Sequence, residues 1–462
     1  MKHVALTLAI AILFLQAPFA RAEPAIQDFL IAAFQERAEG RAALERIEAA
    51  GWQDGYAAIF VDVLDLLWRQ SFPRSQGWIG SRGLERFLEE QTGQRFGSDL
   101  EAWRRWVWSL PYEPHSLYGP FKGALYTAID PEFAEFFVPP VRASIRIDEI
   151  QWGGVAVNGI PPLDHPAVLA AADADYLDDD NLVFGIFIDG AARAYPKRIL
   201  AWHEMALDNI GGRELTVVYC TLCGTVIPFD SSVGGQLRKF GTSGLLYQSN
   251  KLMFDHETKS LWSSLTGTPV VGPLVDSGLE LDAFPVVTTT WGEWRTRHPD
   301  TTVLSLDTGY DRDYREGAAY RAYFATDDLM FDVTLRDERL ANKAEVFALR
   351  LGDATQSIAI SVERLQEERV FHVDVATPAV VVITDESWAN RAYESGEYRF
   401  EAIGDRDGDA DTVQDADGGT WHVTEAALVS ARDESLRLPR VPAHRSFWFG
   451  WVAQHPDTLL IR

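Results

Sequence analysis

Trp291-Gly-Glu-Trp-Arg-Thr-Arg-His298-Pro-Asp-Thr301 and Trp448-Phe-Gly-Trp-Val-Ala-Gln-His455-Pro-Asp-Thr458 carry one pattern: two tryptophans at fixed spacing, then His-Pro-Asp-Thr. The likeness extends outward from this stretch. Upstream, Val183-Phe-Gly-Ile-Phe-Ile188 matches Val346-Phe-Ala-Leu-Arg-Leu351, and Val217-Val-Tyr219 matches Val380-Val-Val382, both at an offset of 163. Asp255-His-Glu-Thr-Lys-Ser-Leu-Trp262 likewise resembles Asp415-Ala-Asp-Gly-Gly-Thr-Trp421. Four matches in one order at a nearly constant offset point to two copies of a β-rich unit, 182–306 and 345–462, packed face to face.

The comparison separates structure from chemistry. At the offset of 163, Cys220 falls on Ile383, Cys223 on Glu386 and His203 on Gln366. The tryptophans and the His-Pro-Asp-Thr elements are shared, so they read as structural; His298 and His455 read as caps at strand-helix junctions before a proline turn. The residues found in one copy only read as functional.

The rest of the chain divides by texture. Residues 25–115 read as helical: Ile26, Leu30 and Phe34 recur at helical spacing, as do Ile59, Val63 and Leu67, and Leu84 to Trp108 repeats the pattern. Breaks are expected at Gly51, at Pro73–Gly83 and at Pro111–Pro120. The Trp103, Trp106, Val107 cluster reads as core packing. Residues 116–181 read as a connector whose Pro139-Pro140 and Pro161-Pro162 pairs cannot lie inside helices. From Leu182 the texture is β, with strands predicted at Val183–Ile188, Leu215–Tyr219, Val286–Thr290, Val303–Leu306 and Val380–Thr384. The expected organisation is therefore α+β: a leader over 1–22, a helical domain over 23–115, the connector, a β-rich unit over 182–340 and a second, degenerate β-rich unit over 341–462.

The leader reading rests on basic Lys2 and His3, an apolar run from Val4 to Leu15, and Ala20-Arg-Ala22 before Glu23. That is a secretory signal with cleavage after Ala22, and the run is too short for a bilayer span, which takes about 20 residues. The expectation is a periplasmic or secreted protein with no membrane span after cleavage. The chain has 462 residues and a net charge of −26, which argues against nucleic acid and anionic membranes as partners. With 47% hydrophobic residues and 15 Trp, it can fill several cores.

There are two cysteines, and both lie in Cys220-Thr-Leu-Cys223. A disulfide framework would scatter several along a short chain, so these two do not staple the fold. The motif follows a β-branched run and precedes the extended Gly224-Thr225-Val-Ile, whereas a thioredoxin-like site opens a helix. Cys-x-x-Cys-Gly between strands suits a metal knuckle and equally a stabilised thiolate. Three readings stay open: a redox dithiol, half of a copper or zinc site, and a tight-loop structural disulfide. A metal would need further ligands, the candidates being His203, Met253 and His256. His203-Glu204 sits in Leu200–Asp208, which has helical periodicity; the metalloprotease spacing is absent because position 207 is Leu. Gly241-Thr-Ser-Gly244 reads as a turn-rich segment without the ending of a phosphate loop, and Asp405-x-Asp-Gly-Asp-x-Asp411 as a solvated acidic turn, since position 416 is Ala where an EF-hand needs Glu.

From Val217-Val-Tyr-Cys-Thr-Leu-Cys-Gly-Thr225 the chain resembles the bacterial domain of unknown function family numbered 3179. The resemblance continues through Phe240-Gly-Thr-Ser-Gly-Leu245, Met253-Phe-Asp255, Ser260-Leu-Trp262, Gly272-Pro-Leu274, Trp291–Thr301, Thr308-Gly-Tyr-Asp-Arg-Asp-Tyr314 and Phe447–Trp451, and spans roughly 158–462. His203-Glu204 also fits. The family has no settled activity, but some relatives carry selenocysteine in the CxxC region, which implies redox work. The family's residue at the position of His256 is basic but not His, which weakens His256 as a ligand.

These readings lead to one expectation and two alternatives. The expectation is an exported thiol-dependent oxidoreductase acting on a small-molecule or protein thiol substrate. Cys220 attacks, Cys223 resolves, His203 serves as base, Glu204 orients it, and Thr225 donates to a sulfur. The alternatives are an envelope copper- or zinc-binding protein using Cys220, Cys223, His203 and Met253, and a non-catalytic envelope binding protein.

Overall fold

The computed structural model describes residues 23–35, 37–69, 80–351, 356–403 and 411–462. The leader over 1–22, residues 73–79 of the expected break and 405–410 of the acidic stretch lie outside the described residues. The chain is α+β, with a helical region followed by a large β-rich part. Among the described residues no helix is long and apolar enough to cross a membrane.

The helical region centres on Ala57–Arg69, in which Ala57 through Leu66 are all buried. A helix apolar on every face must be surrounded, and Ser81–Thr92, Leu100–Ser109 and Tyr118–Tyr126 pack around it. Its two carboxylates are neutralised in place: Lys122 Nζ stands 3.0 Å from Asp62 and Arg104 reaches Asp65 at 2.9 Å. Trp103 and Val107 are buried in this core, as their spacing predicts.

The stretch read as a connector is built into the body. Tyr118–Tyr126 extends the helical cluster beyond residue 115. Ile150–Trp152 pairs with Phe240–Tyr247, Leu163–Asp164 runs beside Met205–Ile210, and Val168–Ala170 pairs with Thr302–Leu304. These strands are two or three residues long, too short for a periodic signal. One continuous core joins the helices to the β part, since Phe133 and Phe136 share a cluster with Leu252, Phe254 and Leu261.

Two sheets have the same strand order. In the first, Val287–Thr290, Leu182–Ile188, Ala191–Pro196 and Thr302–Leu304 lie side by side, the last pair parallel. In the second, Ala443–Phe447, Glu345–Leu351, Gln356–Ser361 and Leu459–Ile461 do so, again with the last pair parallel. The third strand in each order leads into a short helix, Lys197–His203 or Val362–Glu367. Each edge strand leads into a tryptophan-bearing helix, Trp291–Arg297 or Trp448–Val452. The central hairpin of each sheet is followed in the chain by a three-stranded piece, Met205–Ile210/Arg213–Cys220/Thr225–Asp230 or Val370–Val373/Val380–Thr384/Asn390–Glu394, and then by an antiparallel meander, after which the outer strands complete the sheet. The predicted strands all form.

Three local expectations are corrected. The helix that was to run through Leu200–Asp208 stops at His203; Glu204 is left-handed (φ 56°) and Met205–Ile210 is a strand. Cross-strand pairing with Arg213–Cys220 overrides the helical spacing there. Gly241–Gly244 lies within the strand Phe240–Tyr247, where a bulge between Thr242 and Leu246 absorbs Gly244 at φ 77°. His298 and His455 stand where a helix gives way to a strand rather than the reverse. In each, the backbone N–H donates to the preceding tryptophan's carbonyl at 2.9 Å and the ring packs on that tryptophan.

Candidate thiol site

Arg213–Cys220 is buried on both faces: Leu215, Val217 and Tyr219 enter one cluster and Val218 another. A β-branched strand suits this place, and it delivers Cys220 into the interior. The chain then turns back through Cys220-Thr-Leu-Cys223, closed by Cys223 N–H donating to the Cys220 carbonyl at 3.2 Å. Gly224 takes φ 63°, a conformation that favours glycine, and Thr225 begins the return strand.

The two sulfurs are 3.0 Å apart and both are free thiols. Their surroundings differ. Cys220 lines a cavity of about 50 Å³ with Glu204, Lys251 and Tyr320 on its polar side and Met330 and Phe331 on its apolar side. Cys223 is fully buried behind it. Asn250 Nδ2 donates to the Cys223 sulfur at 3.4 Å, and Ser264 Oγ holds the Asn250 Oδ1 at 2.6 Å, which turns the amide NH₂ toward the sulfur. Ser249 O lies 3.4 Å from the same sulfur. Thr221 Oγ1 and Ser249 Oγ, beside the pair in sequence or space, are buried hydroxyls with no hydrogen-bond partner.

Burial pushes the Cys220 thiol up, but the hydrogen bond from Cys223, the Lys251 ammonium and the Lys251 backbone N–H together bring it below its ordinary value, against the opposing Glu204 carboxylate. Burial pushes Cys223 well up, and the neighbouring Cys220 adds to the rise. Of the two, Cys220 is therefore the sulfur that ionises first, and Cys223 the one that keeps its proton longer.

Lys251 organises this corner. Its ammonium donates to the Glu204 carbonyl at 2.6 Å and the Tyr219 carbonyl at 3.2 Å, and stands 3.3 Å from the Glu204 carboxylate. Tyr320 O–H donates to the other Glu204 oxygen at 3.1 Å. The left-handed turn at Glu204 aims its side chain here, and a strained non-glycine residue persists only where its surroundings hold it.

The predicted site residues are only partly gathered. Cys220, Cys223 and Glu204 meet. The His203 ring points elsewhere: Nδ1 pairs with the Pro161 carbonyl at 2.9 Å and Nε2 with Tyr314 O–H at 2.5 Å. Both nitrogens are occupied away from the sulfurs, and Glu204 serves Lys251 and Tyr320 rather than His203. Thr225 Oγ1 lies 3.2 Å from the Cys223 carbonyl and 2.9 Å from Ser446 Oγ, not on a sulfur. Met253 packs with Phe240 and Trp262, and His256 is exposed, its ring tilted against Phe254.

The donor set does not fit a metal as it stands. Two thiolates on one tetrahedral zinc at about 2.3 Å would lie about 3.8 Å apart, whereas these sulfurs are at 3.0 Å. Among the described residues no group of three or more His, Cys, Asp or Glu side chains is arranged to hold an ion.

Sequence reasoning missed Lys251, Tyr320 and Asn250. Lys251 had a signal: it is the one basic residue inside Asn250-Lys-Leu-Met-Phe-Asp255, a strand buried throughout. A fully buried lysine needs partners.

Other walls come from remote parts of the chain. Phe447 N–H donates to the Cys223 carbonyl at 2.7 Å. Gly450 leaves no spare room, since a Cβ there would lie 2.9 Å from the Cys223 Cβ and 3.1 Å from its sulfur. Tyr323 O–H donates to the Leu222 carbonyl at 2.8 Å. The helical region touches the same wall, with Arg69 over the Phe331 ring and Arg105 paired to Asp332 at 2.8 Å.

No curated protein and no solved structure matches this chain. One family does, over residues 157–458, which take in both β-rich parts and every residue of the thiol corner. The chain thus belongs to the family described as "Protein of unknown function (DUF3179)".

Proposed function

We propose that the chain is an exported thiol-dependent redox protein in which Cys220 attacks and Cys223 resolves. One observation carries the reading: the two sulfurs stand 3.0 Å apart in opposite environments, one at a cavity and one sealed behind it. An attacking sulfur must be ionised and reachable; its partner must be adjacent and keep its proton until the first has reacted. Closing to a disulfide of about 2.05 Å moves each sulfur by roughly half an ångström, which asks nothing of the flanking strands. Glu204, Lys251 and Tyr320 set the charge balance at Cys220. The test is equilibration of the reduced protein against graded thiol–disulfide buffers. Both thiols should disappear together as one Cys220–Cys223 disulfide, reversibly; retention of both thiols at every poise, and against hydrogen peroxide as well, removes the proposal. Export rests on the leader over 1–22, and predicts a mature chain beginning at Glu23 in the envelope fraction.

We infer as well that the two β-rich parts are copies of one unit. Supporting this are the matching strand orders and two repeated contacts. Trp262 Nε1 donates to Asp255 as Trp421 Nε1 does to Asp415, and Trp294 Nε1 donates to Thr301 as Trp451 Nε1 does to Thr458. Ladder register then replaces the offset of 163. Tyr219 N–H donates to the Glu204 carbonyl and Thr384 N–H to the Arg369 carbonyl, so Cys220 corresponds to Asp385 rather than Ile383. Asp385 is paired with the buried Arg391, itself bound to Glu425. In this reading the second copy holds a salt-bridge network where the first holds thiols.

A further inference from the structure

We propose that the oxidant acting on Cys220 is a small hydroperoxide, reduced to water or an alcohol within the narrow cavity that Cys220 lines; this rests on the thiol redox reading above. The first argument is space. A cavity of about 50 Å³ holds three or four water-sized groups at roughly 10–15 Å³ each. A hydroperoxide brings two oxygens in line with the sulfur and fits. A disulfide brings two sulfurs, each with its own carbon chain, in line with the attacking thiolate. One of those chains must pass beyond the walls formed by Met330, Phe331 and the Glu204–Lys251–Tyr320 corner. Cys220 is 4% exposed, so a bulky partner does not reach it from outside.

The second argument is chemistry. Attack on a peroxide expels an oxygen anion, which needs a proton or a positive charge beside it. Lys251 lines the same cavity as Cys220, and its ammonium is held by the carbonyls of Glu204 and Tyr219. A thiol–disulfide exchange expels a thiolate, a far weaker base, and has less use for such a group.

The steps balance. The Cys220 thiolate attacks the terminal oxygen of R–O–OH; an S–O bond forms and the O–O bond breaks. Sulfur is oxidised by two electrons and the peroxide is reduced. The leaving RO⁻ takes a proton from Lys251 and departs as ROH, giving Cys220–SOH. The Cys223 sulfur, 3.0 Å away, then displaces hydroxide from Cys220–SOH, which leaves as water with the Cys223 proton. The proton released when Cys220 first ionised restores Lys251. The disulfide is reduced by two equivalents of a thiol borne on an unbranched arm, which needs to bring only one sulfur and one methylene to Cys220.

The test uses the reduced full chain, with disulfide formation followed by intrinsic fluorescence and mass against hydrogen peroxide and against oxidised glutathione. Positioned proton donors contribute about 10²–10⁴-fold, so peroxide should close the disulfide at least about a hundredfold faster than it oxidises free cysteine at the same thiolate fraction. It should also act faster than glutathione disulfide. Cys223→Ser should halt at Cys220–SOH, trapped by a dione reagent. Lys251→Met should slow the step even at a pH where Cys220 is fully ionised. A peroxide rate equal to that of free cysteine overturns the inference, as does faster closure by glutathione disulfide; in the latter case the thiol redox reading survives. Failure of both oxidants to form the disulfide removes both.

Discussion

Gly450→Ala puts the packing of the thiol corner to a quantitative test. Gly450 lies in the helix Trp448–Val452 of the second β-rich part, far in sequence from the cysteines. Replacing glycine by alanine inside a helix stabilises by about 0.5–1 kcal/mol when the space is free. Here it is not free: the new Cβ would lie 2.9 Å from the Cys223 Cβ and 3.1 Å from its sulfur, against about 3.5–4.0 Å for an ordinary carbon contact. Overpacking of this kind costs about 1–3 kcal/mol, so mid-range values leave a net loss of about 1 kcal/mol. The structure also predicts where the strain goes. Phe447 N–H ties the Cys223 carbonyl, so the Cys223 side chain must give way, carrying its sulfur from Asn250 and from Cys220. Cys220 then loses the hydrogen bond that helps hold its thiol down, and its pKa rises; each unit of rise removes about nine-tenths of the thiolate at a pH well below the pKa. Denaturant unfolding and ultraviolet titration of the thiolate read the two effects. A variant as stable as the parent with the same thiolate midpoint would refute the reasoning.

Two substitutions at the polar wall should act in opposite directions on the same midpoint. Lys251→Met removes a cation and should raise the Cys220 pKa, shifting thiolate formation to higher pH; Glu204→Gln removes an anion and should lower it. His203→Gln should leave that midpoint unchanged while costing about 1–3 kcal/mol of stability by disturbing the Pro161 and Tyr314 bonds; a moved midpoint would return His203 to the thiol chemistry. In the helical region, Lys122→Met strands the buried Asp62 and should cost about 3–5 kcal/mol, whereas Lys122→Met with Asp62→Leu should recover most of it, as measured by chemical unfolding.

Much of this was legible because it is local. The β-branched run before Cys220, the paired tryptophan elements and the isolated CxxC each carry their meaning within ten residues. The helical spacing of Ile59, Val63 and Leu67 likewise marks the central helix. What the sequence hid depends on distant partners. Leu200–Asp208 has helical spacing, yet its second half becomes a strand because Arg213–Cys220 offers it a ladder. His203 looked like a base beside the thiols, but Tyr314 and Pro161 claim its ring. Lys251 was overlooked because its role comes from a carbonyl 47 residues away and another 32 away. Tyr320 lies farther still, 116 residues from the Glu204 it bonds. In the copy reading, the offset of 163 misplaced Cys220 by two residues because an earlier hairpin connection is two residues longer in the second part: Ile188 pairs with Ala191, but Leu351 with Gln356.

The proposed thiol chemistry requires the two cysteines to form an asymmetric pair in which Cys220 ionises first. Its most direct test is the ultraviolet absorbance of thiolate as a function of pH in the reduced protein, compared with Cys220→Ser and Cys223→Ser. One thiolate should form below the ordinary cysteine value of about 8.5, lost in Cys220→Ser and kept in Cys223→Ser, where a hydroxyl can still donate. Two thiols titrating together at or above the ordinary value, or a low-pH thiolate that survives in Cys220→Ser, would contradict it.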